Sequence, residues 1–257
     1  MSGYGGFFRE LAAAAAAETL PRFRTRTDVV NKLSQGFDPV TEADREAERA
    51  IRALIKARYP DHGILGEEHG SENLDREHVW VIDPIDGTRA FISGLPVWGT
   101  LCGLYRNGRA IAGMMAQPFT GELYFGDETG AFYEGPGGNG QLRTRPTTAL
   151  GDATLFTTTP ALFRDAKRTR YDALEGAVKL SRYGTDCYAF AMLAAGHADL
   201  VCEAGLQAYD IGGLIAPIEQ AGGVVTRWDG GPAEQGGDIL ASANPALHEA
   251  ALAILNG

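Results

Sequence analysis

A chain of 257 residues with 44% hydrophobic and 22% charged content is long enough for one large core or two packed subdomains, and this composition excludes pervasive disorder. The 23 Lys and Arg against 33 Asp and Glu leave a formal net charge of -10, which argues against nucleic acid or an anionic membrane as the main partner. Three widely spaced cysteines, Cys102, Cys187 and Cys202, supply neither a disulfide framework nor a CxxC zinc site, so a reducing, cytoplasmic setting is expected.

The Ala12 to Ala17 run follows Glu10 and lacks a basic lead and a cleavage signal, so it reads as the middle of an amphipathic helix from Phe7 to Leu20 rather than a signal peptide. No window approaches the ~20 consecutive apolar residues of a membrane span. A polar loop, Asn31 to Phe37, precedes a helix that runs to Tyr59 behind a Thr41/Asp44 capping box, with Ala47, Ile51, Leu54 and Ile55 facing the core. Gly63 to Gly66 reads as a short strand delivering Glu67-Glu68, and Val79 to Ile82 as an apolar strand that stops at Asp83.

Apolar runs at Trp98 to Tyr105, Ala110 to Ala116, Glu122 to Phe125 and Ala131 to Tyr133 predict an antiparallel meander, with Asn107-Gly108 as a hairpin turn. Gly135 to Gly140 lacks the Gly-Lys-Ser/Thr ending of a phosphate loop and reads as a hairpin turn or a subdomain joint. Beyond it, strands near Ala153 to Thr158, Val178 to Arg182, Ala198 to Glu203, Gly223 to Trp228 and Ile239 to Ser242 alternate with helices at Tyr188 to Ala195, Ile211 to Ala221 and Pro245 to Leu255. Pro217 should kink its helix or mark an irregular turn. The expected division is an N-terminal α+β half, residues 1–148, and a C-terminal α/β half, residues 149–257.

The densest chemistry is Asp83-Pro84-Ile85-Asp86-Gly87-Thr88, where two acids, a glycine and a hydroxyl adjoin apolar sequence. By itself it reads as a self-capping Asp-Pro-x-Asp-Gly turn. Glu67 after one strand and Asp210 at a helix start after another change that, because acids at several strand ends are what an assembled site in a layered α/β fold requires. Buried unpaired carboxylates are costly unless a cation neutralises them. Oxygen ligands without His or Cys suit Mg²⁺. The histidines, His62, His69, His78, His197 and His248, show no paired metal spacing, and no Gly-x-Ser-x-Gly elbow or Cys-x5-Arg loop offers a covalent route.

Val40 to Asp44, Glu67-Glu68, Asp83 to Thr88, Tyr209-Asp210 with Ala221-Gly222-Gly223, and Ala241 to Asn244 resemble, in order and spacing, the inositol monophosphatase family of magnesium-dependent phosphatases. Tyr209 stands where that family usually has Trp, and Ala90 where it often has Asn. The resemblance implies a layered α-β-α-β-α sandwich like that of the inositol monophosphatases and fructose-1,6-bisphosphatases, a homodimer, and two or three Mg²⁺ ions. Glu67, Asp83 and the Ile85 carbonyl would hold the first ion, Asp83, Asp86 and Asp210 the second, and Glu67 would reach a third; Lys32 reads as a solvated loop lysine, with contact to the third ion's surroundings as the alternative. Asp44 and Thr88 would orient and activate the attacking water, and the Gly87 and Thr88 amides would receive the phosphate beside Asp86.

Gly94 to Leu101 and Ser181 to Ala189 resemble the histidinol-phosphate phosphatase branch. In the family, the positions matching Asp186 and Glu203 face the alcohol of the ester, with Gly184, Thr185 and Asp210 alongside. A second carboxylate next to Glu203 suits a leaving group bearing a cation or N–H donors, so L-histidinol phosphate, the phosphatase substrate of histidine biosynthesis, is favoured over neutral inositol. The structural alternative for Asp186 is a helix N-cap. Inositol monophosphate, a sugar bisphosphate or a nucleotide 3'-phosphate remain as other small phosphomonoesters, and a non-catalytic metal- or phosphate-binding scaffold remains as a reading of another class.

Overall fold

The protein is described by a computed structural model covering residues 3–25, 30–31 and 39–257. Lys32 and the rest of the Asn31 to Phe37 loop after Asn31 lie outside the described residues. Helix α1 (Gly5–Thr19) and two short paired strands, β1 (Val30–Asn31) and β2 (Pro39–Val40), lead to helix α2 (Glu42–Arg58). Thr41 and Asp44 form the expected capping box at its start.

The strands β3 (Gly63–Gly66), β4 (Gly70–Glu72), β5 (His78–Asp86), β6 (Gly99–Arg106), β7 (Arg109–Gln117), β8 (Glu122–Asp127), β9 (Gly130–Gly135) and β10 (Gly138–Gln141) make one sheet in the order β10-β9-β8-β7-β6-β5-β3-β4. A short helix, α3 (Thr88–Ile92), follows β5. The expected meander is the β6 to β9 run, every pairing antiparallel, and β10, inside the Gly135 to Gly140 stretch read as a turn or joint, extends it by one strand. Asn107 and Gly108 both take positive φ, 52° and 78°, the geometry that a tight hairpin between twisted strands demands.

The second sheet is built from β11 (Thr154–Thr157), β12 (Leu180–Tyr183), β13 (Leu200–Leu206), β14 (Val224–Arg227) and β15 (Gly237–Ser242), in the order β12-β11-β13-β15-β14. Helices α4 (Asp165–Ala177) and α8 (Pro245–Leu255) share one apolar cluster with it, and α5 (Tyr188–Ala194), α6 (Ala208–Gly212) and α7 (Ile215–Gln220) share another. Helices α1 and α2 cover the first sheet together with Trp80, Ile82 and Leu104, while α6 and α7 pack against its β5 to β9 strands. The result is an α-β-α-β-α sandwich with α5 to α7 as its middle layer. No helix among the described residues is long and apolar enough to cross a membrane.

Several elements depart from the expectation, the unforeseen strands β4 and β10 among them. The Ile211 to Ala221 helix is two helices, broken at Gly213-Leu214, and Pro217 is the third residue of α7, where a missing N–H costs nothing. The break lets backbone meet backbone: a Cβ on Gly103 would collide with the Gly212 carbonyl, and one on Gly113 would lie 2.5 Å from the Gly213 carbonyl. Helix α4 was not foreseen, because Tyr171 and Leu174 are its only buried residues and its remaining face is polar. Strand β5 does not stop at Asp83 but continues to Asp86.

Candidate active site

The continuation of β5 aims its two acids. Asp83 faces Leu101 of β6 and Asp86 faces Gly99, so three steps on β5 oppose two on β6 and the register shifts between them. In a regular strand, residues three apart point to opposite faces. The one-residue bulge removes that inversion and turns Asp83 and Asp86 to the same side. Pro84 sits inside the bulge, where its absent N–H breaks no ladder bond, and its carbonyl accepts from Thr100 Oγ1 at 2.8 Å. The Ile85 N–H then donates to Asp83 Oδ1 at 3.0 Å.

Asp210 arrives from the other half of the chain as the third residue of α6, held by a bond from Gln207 N–H to its Oδ2 at 2.7 Å. One carboxylate oxygen each of Asp83, Asp86 and Asp210 lies within 4.8 Å of the other two. Glu67, directly after β3, adds its charge and a side-chain hydrogen bond to Asp83. Burial first, then the charges of Glu67, Asp86 and Asp210, push the Asp83 carboxyl well above its ordinary range. Asp86 is raised by burial and by Asp210 and Asp186, although the Cys187 N–H donates to its Oδ2 at 2.7 Å and works against the rise.

Asp44 reaches the cluster from α2. Its Oδ2 accepts from the Thr41 N–H at 2.8 Å and from Thr41 Oγ1 at 2.6 Å, which leaves Oδ1 facing Thr88 Oγ1 at 3.5 Å. Thr88 Oγ1 also lies 3.1 Å from the Ile85 carbonyl. Burial, with a smaller push from Glu67, raises Asp44 to about 6 against the Thr41 hydrogen bonds. Gly87, between Asp86 and Thr88, adopts φ 83°, and a Cβ there would come within 3.2 Å of the Asp186 carboxylate.

A cavity of about 210 Å³ is lined by Glu67, Asp83, Ile85, Asp86, Gly87, Thr88, Asp186 and Asp210, all of them expected from sequence, and also by Arg89 and Thr158. A second, of about 230 Å³, shares Asp86, Thr158, Asp186 and Asp210 and extends to Glu203, Gly205, Leu206 and Phe190. Glu203 is buried, its Oε1 accepting from the Thr158 N–H at 2.5 Å while Oε2 has no hydrogen-bond partner. Burial pushes its carboxyl up to about 8, against the Thr158 bonds and with a contribution from the Asp186 charge.

Asp186 is not a helix cap. The α5 N-cap is Cys187, without a side-chain cap bond, and the Cys187 N–H is taken by Asp86 instead. Asp186 itself adopts φ 42°, a conformation that Asp tolerates better than most side chains. Its carboxyl is raised by burial, while Arg89 and a Thr158 hydrogen bond oppose the rise. Gly184 and Thr185 line neither cavity and belong to the turn that delivers Asp186, with the Gly184 N–H donating to the Thr158 carbonyl at 2.9 Å.

Two residues of this site were missed. Arg89 directly follows the Asp83 to Thr88 motif on the first turn of α3, and that adjacency was the available signal. Thr158 directly follows β11 and carried no motif. The histidines stay structural: His62 stacks on Tyr59 and His78, and the His248 ring bridges Thr226 and Ser242.

The converging carboxylates of Asp83, Asp86 and Asp210 are oxygen donors without His or Cys, the donor set of a hard divalent ion, so these residues fit Mg²⁺. Layered sandwich and carboxylate cluster together are the plan of the metal-dependent phosphatases. The sequence model of the inositol monophosphatase family matches residues 6–257, and the chain belongs to that family of phosphatases, for which Mg²⁺ dependence is general. Over 222 residues it is 41% identical to the protein named bifunctional phosphatase IMPL2, chloroplastic, of Arabidopsis thaliana, covering 85% of this chain but only 62% of that relative's length. A histidinol-phosphatase of Chlorobaculum parvum is 35% identical over 242 residues, covering 93% of this chain and 91% of the relative. The solved structure of an inositol monophosphatase from Zymomonas mobilis superposes with a TM-score of 0.87 at 35% identity, over 100% of both chains.

Proposed function

We propose that this phosphatase hydrolyses L-histidinol phosphate by in-line attack of water. The observation that carries the reading is the pair Asp186 and Glu203, one half-buried and one buried acid on a cavity that shares Asp86 and Asp210 with the carboxylate cluster. A neutral polyol leaving group has no use for a second carboxylate. An amino alcohol bearing an ammonium and an imidazole can satisfy both, and hydrogen bonds to charged groups are the stronger kind. Relatives named for histidinol phosphate and for inositol phosphate both occur, so the family does not make this choice.

Glu67, Asp83 and the Ile85 carbonyl would hold one Mg²⁺, Asp83, Asp86 and Asp210 a second, and Glu67 would contribute to a third. Bound there, the cations supply a low-pKa water and stabilise the entering and leaving oxygens of the displacement. The chain's own part is placement. Thr88 Oγ1 can donate to Asp44 Oδ1 while its lone pair takes a hydrogen bond from the attacking water, so the Thr88 hydroxyl orients the nucleophile and Asp44 accepts the proton. The Gly87 and Thr88 amides would receive the phosphate, whose approach the absence of a side chain at Gly87 keeps open. Asp186 and Glu203 would grip the alcohol's cationic groups, with the Arg89 charge opposing the rise that burial imposes on the Asp186 carboxyl.

The homodimer implied by the family belongs to the same proposal and is checked by light scattering on the purified protein. The deciding test compares kcat/KM for histidinol phosphate and inositol-1-phosphate with Mg²⁺, because that ratio measures discrimination in the transition state. A ratio in favour of inositol-1-phosphate refutes the substrate, and absence of phosphate release from any small phosphomonoester refutes the enzyme.

A further inference from the structure

Glu48 stands one helical turn after Asp44 on the same face of α2 and is fully buried, yet the reaction described above makes no use of it. Its carboxylate is completely engaged. Oε2 accepts the Glu68 N–H at 2.7 Å, and Oε1 accepts the His69 N–H at 3.1 Å and the Arg52 Nε–H at 2.6 Å. Arg52, itself almost buried, continues outward to Glu72 Oε1 at 2.9 Å and to the Gly70 carbonyl.

Glu67, Glu68 and His69 are the loop between β3 and β4, closed by the Gly66–Gly70 pair. The Glu67 N–H donates to the Ile82 carbonyl at 3.1 Å, so with Glu48 every N–H of this loop has an acceptor. Gly66 is fitted to that arrangement: a Cβ there would collide with Glu48 Oε1 and come within 2.7 Å of Arg52 Nη2.

We infer that Glu48 is a positioning residue for the cation site: it clamps the Glu67 loop against α2, and so fixes Glu67 relative to Asp44 and Asp83. The inference rests on the reading of Glu67 as a cation ligand. A buried ion pair is weak grounds for a stability role alone, since packed apolar side chains do as well. An apolar pair could not accept the Glu68 and His69 N–H groups. Helix α2 thereby sets two distances at once, Asp44 to the Thr88 hydroxyl after β5 and Glu48 to the loop after β3.

The test is Mg²⁺ titration calorimetry on wild type, Glu48→Gln and Glu67→Gln, with circular dichroism to confirm folding. Glu48→Gln keeps shape and one acceptor oxygen but loses the charge that binds the amides and Arg52. It should weaken Mg²⁺ binding about tenfold or more, as loss of groups that orient metal ligands does, while kcat at saturating Mg²⁺ changes less than about threefold. If Glu67→Gln weakens binding and Glu48→Gln lowers only the melting temperature, the positioning role is overturned and the ligand reading survives. If Glu67→Gln leaves Mg²⁺ affinity intact, the ligand reading itself falls. Hydrogen exchange on the metal-free wild type needs no variant: the Glu68 and His69 amides should be strongly protected, and exchange at the rate of an exposed turn would overturn the clamp.

Discussion

Glu203 offers a sharp quantitative test, because its buried carboxyl is pushed up to about 8 from an ordinary 4.5. The folded protein therefore keeps a proton that the unfolded chain releases between those two values. A raised carboxyl contributes stability that is fully present below about 4.5 and is lost as pH rises towards and through about 8. Over pH 5 to 9 that loss amounts to about 4 kcal/mol. Glu203→Gln is neutral throughout, and its amide oxygen can still accept the Thr158 N–H. The variant should thus be more stable than wild type by about 1 kcal/mol at pH 5 and by about 4 to 5 kcal/mol at pH 9.

The assay is urea or thermal denaturation of both proteins in EDTA across that range, where a difference of this size near pH 9 moves the melting temperature by roughly 10 °C. Taking the difference between two proteins cancels the titration of Asp83 and Asp86, which is common to both. Parallel stability curves, offset by a constant, would refute the claim that Glu203 is held protonated by burial. The same reasoning carries to function: a cationic leaving group must draw the proton off Glu203, so histidinol phosphate binding near neutral pH should release a proton that inositol-1-phosphate binding does not.

Asp83→Asn should nearly abolish turnover and weaken Mg²⁺ binding, yet raise metal-free stability, because it removes a buried acid crowded by Glu67, Asp86 and Asp210; near-normal activity with Mg²⁺ would contradict the ligand assignment. Since Asp83 and Asp86 are both raised in the metal-free protein, Mg²⁺ competes with protons there, so affinity should increase with pH and calorimetric enthalpies should vary with buffer ionisation. A pH-independent affinity would count against it. Asp186→Ala should cut kcat/KM for histidinol phosphate by about tenfold to a hundredfold, the worth of a charged hydrogen bond, and equal loss on every ester would end the recognition argument. Gly113→Val should destabilise the fold by about 1–3 kcal/mol and weaken Mg²⁺ binding with it, since the added side chain meets the Gly213 carbonyl beside α6; unchanged Mg²⁺ affinity in the folded variant would separate this seam from the site.

The acids of the site were legible because each follows an apolar run and precedes a loop or helix, which is a local signal. Their convergence was not local. Asp83 and Asp86 are three apart, so strand alternation alone sends them to opposite faces, and only the opposing strand, pairing Leu101 and Gly99 with them, reveals the extra residue that brings them together. The α6–α7 break was hidden for a related reason. Ile211, Leu214, Ile215 and Ile218 are all buried and keep helical spacing across Gly213, so periodicity reads one helix where there are two. What breaks it is tertiary: the Gly212 and Gly213 carbonyls press on Gly103 and Gly113 of the first sheet, a contact no window of sequence contains. That seam lies two residues beyond Asp210, the one clustered acid drawn from the second half of the chain. The glycines at the break therefore bear on how the site is assembled, because they let α6, which carries Asp210, lie close against β5 and β6.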